Sequence, residues 1–289
     1  MFVVLAGRRA AGAGGACEHD AGMSLESILG VVTAVIGMIH LRALPGSPRW
    51  AGSMDAVIDA ALDDARALAE GGADALLVEN HGDMPFAPVR VDAATVAAMA
   101  VAVQAVRAAV PLPVGVNVLK SDALSALAVA SATGAVFIRV NVHVGAVVAD
   151  QGLLQSTSYE SLRYRRLLGL DIKILADVQA KHAVPLAPVP IELETRDAVA
   201  RGLADGLVVT GVATGEPTAM GDLKKVRGAA PGMPLLVGSG ATADNAAELL
   251  SVADGLIVGT SVKRDGVLAN PVEAARVRRL VDAARGARR

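Results

Sequence analysis

Two glycine-rich segments late in the chain, Gly238-Ser239-Gly240 and Gly259-Thr260-Ser261, each close a short apolar run. Glycine lets an anion approach backbone N–H groups closely, and a short helix is expected to begin near Thr242. Several donors would then meet at a positive helix end, a natural phosphate site. The hydroxyls of the second segment would add to them. Either segment alone is equally well read as a tight turn; the pair, one unit apart, points to an anion. Thr210-Gly211, one unit earlier, is either a further contact to the same ligand or an ordinary turn.

A second set of polar residues also ends apolar runs: His40, Glu79-Asn80-His81, Asn117 with Lys120, Arg139 with Asn141 and His143, and Asp177 with Lys181-His182. The planar fork of Arg139 suits a carboxylate or phosphate, and Asp177 and Glu79 are the natural acid/base or metal-ligand candidates. Asp177 or Glu79 would move a proton with His182 or His40 as partner, while Arg139 and Lys120 hold or polarise a ligand oxygen. Lys120, Lys173 or Lys181 could instead form a Schiff base. The structural alternative is an internal ion pair of Arg139 with Glu79 or Asp177, because a buried charge needs a partner. The histidines leave a divalent metal open, but no HxH or HExxH spacing fixes a ligand set, and no cofactor is required.

The elements that must position these residues follow a regular alternation. Short apolar runs at 34–40, 75–79, 113–118, 136–141, 172–177, 206–210, 235–238 and 255–259 are each followed by a longer Ala-rich segment. Helices are expected at 53–71, 92–109, 122–133, 158–169, 194–203, 218–229, 242–251 and 271–287. Several carry start signals, Ser53 before Asp55, Asp92, Ser121 with Asp122, and Thr242 with Asp244, and several end on glycine, as at Gly134, Gly169 and Gly202. Eight such units predict a TIM (β/α)₈ barrel, with chemistry on the loops after the strands. A doubly wound open sheet is the alternative, but the first strand is not followed by GxGxxG. In the fourth strand Arg139, Asn141 and His143 share one parity and Val136, Ile138 and Val140 the other, so the polar set should line the barrel mouth.

Composition narrows the partners. The 289 residues suit one barrel domain, and the 53% hydrophobic fraction comes from Ala, Val and Leu, with only 2% aromatics, as a sheet buried on both faces requires. With 27 basic and 29 acidic residues interspersed, there is no electrostatic footprint for nucleic acid. No run is long enough for an integral membrane segment. The single Cys17 excludes an internal disulfide and fits a cytoplasmic location. Residues 1–22 read as a disordered tail before a single domain over 23–289, so that Met23 competes with Met1 as the start. SLESILG after it reads as an opening helix capped by Ser24. Association into a homo-oligomer stays open.

The irregular segments carry a resemblance. GMIHLRALPGSPRW (37–50), GGADALLVENHGDMPF (71–86), NVLKSDALSALAVASATGAVFIRVNVHVGAVVADQGLLQ (117–155), DIKILADVQAKHAVPL (171–186) and GLVVTGVATGEPT (206–218) resemble the BtpA/SgcQ family over about residues 33 to 285. The resemblance implies a phosphate-binding TIM barrel, similar to the ribulose-phosphate-binding barrels. It marks Asn80, Asn117, Asn141, Lys181, Thr210 and Gly211 as ligand contacts beside the catalytic candidates above. Family members are described as photosystem I biogenesis factors or as putative sugar-pathway enzymes. Two expectations follow: an isomerase or lyase acting on a sugar phosphate or nucleotide derivative, or a non-catalytic assembly factor for a membrane complex.

Overall fold

The computed structural model describes residues 24–211 and 218–287; the expected tail over 1–22 and the choice of Met23 as start lie outside them. The helices are α1 (Leu25–Leu29), α2 (Met54–Glu70), α3 (Ala93–Ala109), α4 (Ala123–Thr133), α5 (Ser158–Leu168), α6 (Ile191–Ala200), α7 (Met220–Ala229), α8 (Ala246–Leu250) and α9 (Ala274–Gly286). The strands in chain order are β1 (Ala34–His40), β2 (Ala75–Glu79), β3 (Val114–Asn117), β4 (Phe137–Val140), β5 (Ala146–Ala149), β6 (Gly152–Gln155), β7 (Lys173–Val178), β8 (Ala183–Pro185), β9 (Gly206–Val209), β10 (Leu235–Val237) and β11 (Gly255–Val258). Eight of them close a parallel barrel in the order β1-β11-β10-β9-β7-β4-β3-β2, the TIM-barrel architecture.

Local chemistry starts the helices where the caps lie. Ser53, Asp92 and Asp122 accept hydrogen bonds from the backbone N–H groups of Ala56, Thr95 and Ser125, each replacing a bond the first helical turn cannot make. Thr242 is an exception. The Asn245 side chain folds back on the segment, accepting from the Thr242 N–H at 2.8 Å and donating to the Gly240 carbonyl at 2.9 Å, so 242–245 form a turn and α8 begins only at Ala246. The expected helix end at the glycine turn is therefore absent. α6 runs from Ile191 rather than 194 because Pro190 halts the preceding loop, and Leu203, not Gly202, takes the positive φ after it.

The core has two layers. Outward-facing residues such as Val35, Ile39, Leu76, Val116 and Ile174 pack under the helices. Inward-facing Ala34, Ile36, Met38, Leu77, Phe137, Leu175, Val208, Leu236 and Ile257 fill the barrel, and Leu25 and Leu29 of α1 join them from the end where the strands begin. Phe137 supplies the bulk that the small neighbours lack. Its ring lies over Gly115, where a Cβ would stand 2.2 Å from it.

The loops after β4 and β7 were expected to be irregular, but they contain a second, three-stranded antiparallel sheet in the order β6-β5-β8. It stands beside the barrel mouth on the side of β4 and β7. Among the described residues no helix is long and apolar enough to cross a membrane.

Candidate functional site

Barrel parity places one polar layer directly above the apolar plug. His40, Glu79, Asn117 and Arg139 are partners in register across β1, β2, β3 and β4, so four side chains of one row point inward together. Asn117 Nδ2 donates to Glu79 Oε2 at 2.7 Å, and the other carboxylate oxygen lies 4.0 Å from His40 Nε2. Burial, with the charges of His81, Lys263, Lys181 and Arg139 adding to it, holds His40 well below the usual histidine range. It is a neutral imidazole at neutral pH. His81 meets it edge-on, with ring centroids 5.1 Å apart.

Arg139 and Asp177 form a bidentate pair, Nε to Oδ1 at 2.8 Å and Nη2 to Oδ2 at 3.0 Å, and Asn141 Nδ2 donates to the same Oδ2 at 2.9 Å. Both charged side chains are buried. Each Asp177 oxygen is thus committed to holding Arg139 and Asn141. Asn141 Oδ1 and Asn117 Oδ1 are buried without a partner among the described residues.

The glycine segments face this layer. One cavity is lined by Gly238 to Thr242 and by Val258 to Ser261, and also by Met38, His40, Glu79, Arg139, Lys181 and Ile257. The N–H groups of Gly240 and Ala241 donate to no described residue, and Thr260 and Ser261 head a 3-10 helix (Thr260–Val262) whose first N–H groups have no acceptor within it. Gly240 sits at φ 71°, and a Cβ on Gly238 would lie 2.6 Å from Val208 and 3.1 Å from Arg139. A Cβ on Gly259 would lie 2.8 Å from His40. Gly238 and Gly259 are therefore required by close packing against Val208, Arg139 and His40, independently of any ligand.

The remaining candidates take supporting positions. Asn80 donates to Asp83 and accepts from the Leu119 N–H at 2.7 Å, tying two loops together. The Gly211 N–H donates to Ser239 Oγ at 2.8 Å, so Thr210-Gly211 braces the glycine turn rather than lining the cavity. The Lys120 ammonium donates to the carbonyls of Lys181 and His182, at 3.1 and 3.3 Å. The His182 side chain is exposed outside the cavity lining. His143, expected at the mouth by strand parity, lies past the end of β4; its Nε2 donates to the Gly202 carbonyl at 2.7 Å behind α6. Among the described residues no group of three or more His, Cys, Asp or Glu is placed to hold a metal ion. Met38, Ile257 and Ala241 line the cavity without having been singled out from sequence, and Thr242 was singled out only as a helix start; the shared parity of Met38 and His40 was the available signal for the first.

Comparison with known proteins places this geometry in a family. A profile of the BtpA family matches residues 31–286. The chain belongs to the BtpA family. It is similar to the photosystem I biogenesis protein BtpA of Synechocystis sp., 47% identical over 86% of this chain and 87% of that protein. It is also similar to the putative sgc region protein SgcQ of Escherichia coli, 36% identical over 89% of this chain and 96% of that protein. Among solved structures this BtpA-family chain resembles thiamine phosphate pyrophosphorylase from Pyrococcus furiosus, with a TM-score of 0.54, 15% identity, and 88% of this chain and 96% of that one covered. N-(5'-phosphoribosyl)anthranilate isomerase from Pyrococcus furiosus follows, with a TM-score of 0.52, 14% identity, and coverage of 88% and 99%. Both share the barrel.

Proposed function

We propose that this BtpA-family barrel binds a phosphorylated small molecule and acts on it by proton transfer. The phosphate is held by the N–H groups of Gly240, Ala241, Thr260 and Ser261, with the Thr260 and Ser261 hydroxyls beside them. Glu79 moves the proton, with neutral His40 alongside it. The observation that carries this reading is the single cavity bounded by both glycine segments and by Glu79, His40, Arg139 and Lys181. Backbone donors already oriented toward an anion need no reorganisation when it binds. Arg139 is spent on Asp177, so its part is to close the cavity wall and add positive field.

Glu79 is favoured over Asp177 as the reacting carboxylate because it lines the cavity and Asp177 does not. The ligand is expected to be a sugar phosphate or nucleotide derivative. A thermal-shift screen of phosphorylated sugars and nucleotides against their unphosphorylated counterparts tests the proposal. A ligand at a hundred times its Kd adds about 2.7 kcal/mol to the native state. Stabilisation by the phosphorylated member of a pair alone is the expected result; equal response to both members, or to neither, would remove the phosphate site.

The second reading is a non-catalytic assembly factor. It rests on the name of the Synechocystis relative and on Leu153, Val148 and Val184, three exposed apolar side chains in register across β6, β5 and β8. It expects no phosphorylated compound to raise the melting temperature.

A further inference from the structure

We propose that Lys181 is an amine nucleophile that forms a Schiff base with a carbonyl group of the phosphorylated ligand, and that Lys120 is the residue that positions it. The inference rests on the phosphate reading above and deepens it, since it names a phosphorylated aldehyde or ketone as the ligand class.

Three cationic side chains buried near the mouth are spoken for. Arg139 is paired with Asp177, Lys263 with Asp64, and Lys120 with two backbone carbonyls. Lys181 differs. It lines the cavity, yet its ammonium forms no hydrogen bond or ion pair with any described residue. Burial of a charge without a partner is costly, so the neutral amine gains at the expense of the ammonium. Burial pushes the Lys181 ammonium below the ordinary lysine range, the charges of Arg139 and Lys120 act in the same direction, and Glu79 and Asp177 oppose them.

The turn that presents Lys181 is unusually constrained. Gln179 and His182 on either side both adopt left-handed backbone, at φ 53° and 54°. Such conformations cost roughly 1 kcal/mol or more for residues with a Cβ and persist where the surroundings hold them. Here the surroundings do. Lys120 grips the carbonyls of residues 181 and 182, the Gln179 N–H donates to Glu194 at 3.0 Å, and its side chain donates to the Val189 carbonyl at 3.3 Å. The other lysines weighed from sequence lack this placement. Lys173 is paired with Asp171 at the opposite end of β7, and Lys120 does not line the cavity.

The step balances with groups on the chain. Glu79, across the same cavity and not in hydrogen-bond contact with Lys181, takes a proton from its ammonium through a bridging water, and the freed amine attacks the carbonyl carbon as the π pair moves to oxygen. That oxygen receives one proton from the nitrogen and one back from Glu79, and leaves as water while the nitrogen lone pair forms the C=N bond. Ammonium and carbonyl have become a protonated Schiff base and water, and Glu79 is again a carboxylate.

Full-length protein incubated with glyceraldehyde 3-phosphate and sodium borohydride, followed by intact and peptide mass spectrometry, is the test. The expected result is one reduced adduct per chain at Lys181, suppressed by inorganic phosphate and absent with unphosphorylated glyceraldehyde. Lys181→Arg should lose the adduct while still binding inorganic phosphate in calorimetry, since the positive charge in the cavity wall is kept. Lys120→Met should move the pH profile of adduct formation to higher pH, because a positive neighbour that favours the free amine is gone; an unmoved profile contradicts its positioning role. An adduct that persists in Lys181→Arg, or no adduct while calorimetry shows the probe bound, overturns the Schiff-base inference and leaves the phosphate site standing. If neither glyceraldehyde 3-phosphate nor inorganic phosphate binds, the underlying reading fails and this inference with it.

Discussion

At the scale of residues, two buried carboxylates at the same mouth have different duties. Asp177 spends both oxygens on Arg139 and Asn141, so Asp177→Asn strands a buried guanidinium and should cost roughly 3–5 kcal/mol in a denaturant titration. Stability near that of the wild type would show that Arg139 finds another partner. Glu79 faces the cavity, and Glu79→Gln keeps its shape and an acceptor for Asn117 while removing the base. Ligand binding should persist and conversion should fall by about 10²–10⁴-fold, which kcat and Kd measured together would separate. The polar row itself was legible, because period-two parity sends Arg139 and Asn141 inward with the ends of the neighbouring runs. The division of labour was not. Whether Arg139 would pair with Glu79 or with Asp177 depends on which strands are neighbours, and β4 is flanked by β3 and β7. His143 was misplaced for a related reason: parity holds only as long as the strand does, and β4 stops at Val140.

At the scale of elements, the barrel strands and most helices were readable from apolar runs and capping residues, and α1 was anticipated from Ser24 before an apolar segment. Its role was not apparent from sequence. Leu25 and Leu29 reach the inner core at the end of the barrel opposite the mouth, so Leu29→Ala should cost about 2–5 kcal/mol despite lying in a helix of only 5 residues. A change within error in a chemical melt would mean that α1 is a detachable cover. The sheet of β5, β6 and β8 escaped the sequence because its strands are 4, 4 and 3 residues long and β8 pairs with β5 across the whole of α5 and β7. The 242–245 turn escaped it because Thr242 and Asp244 imitate a helix start, whereas Asn245 competes for the same backbone groups.

At the scale of the whole molecule, the histidines set an acid limit. His143 is buried and His40 half-buried in the cavity wall, with desolvation the main cause holding both below their unfolded value of 6.5. Above that pH neither state carries the proton and there is no penalty. As the pH falls below it, the unfolded chain takes up protons that the native state refuses, so stability declines toward the lowered native pKa values. The slope is about 1.4 kcal/mol per pH unit for each such group. Replacing His40 with Asn should flatten the fall in melting temperature below that pH; an unchanged slope would mean that His40 is protonated in the native state. TIM barrels carry their chemistry on the loops after the strands, and the function proposed for this chain rests on the cavity found at that mouth. Titration calorimetry of the phosphorylated sugar with the largest thermal shift, into wild type and Gly240→Val, tests that most directly. Gly240 sits at φ 71° beside the free N–H groups, so a branched side chain both strains the turn and turns its donors away. The phosphate site predicts a clear loss of affinity in Gly240→Val, alongside the modest fall in the melting temperature of the unliganded protein that the strained turn brings. Equal affinity in the two proteins would contradict it.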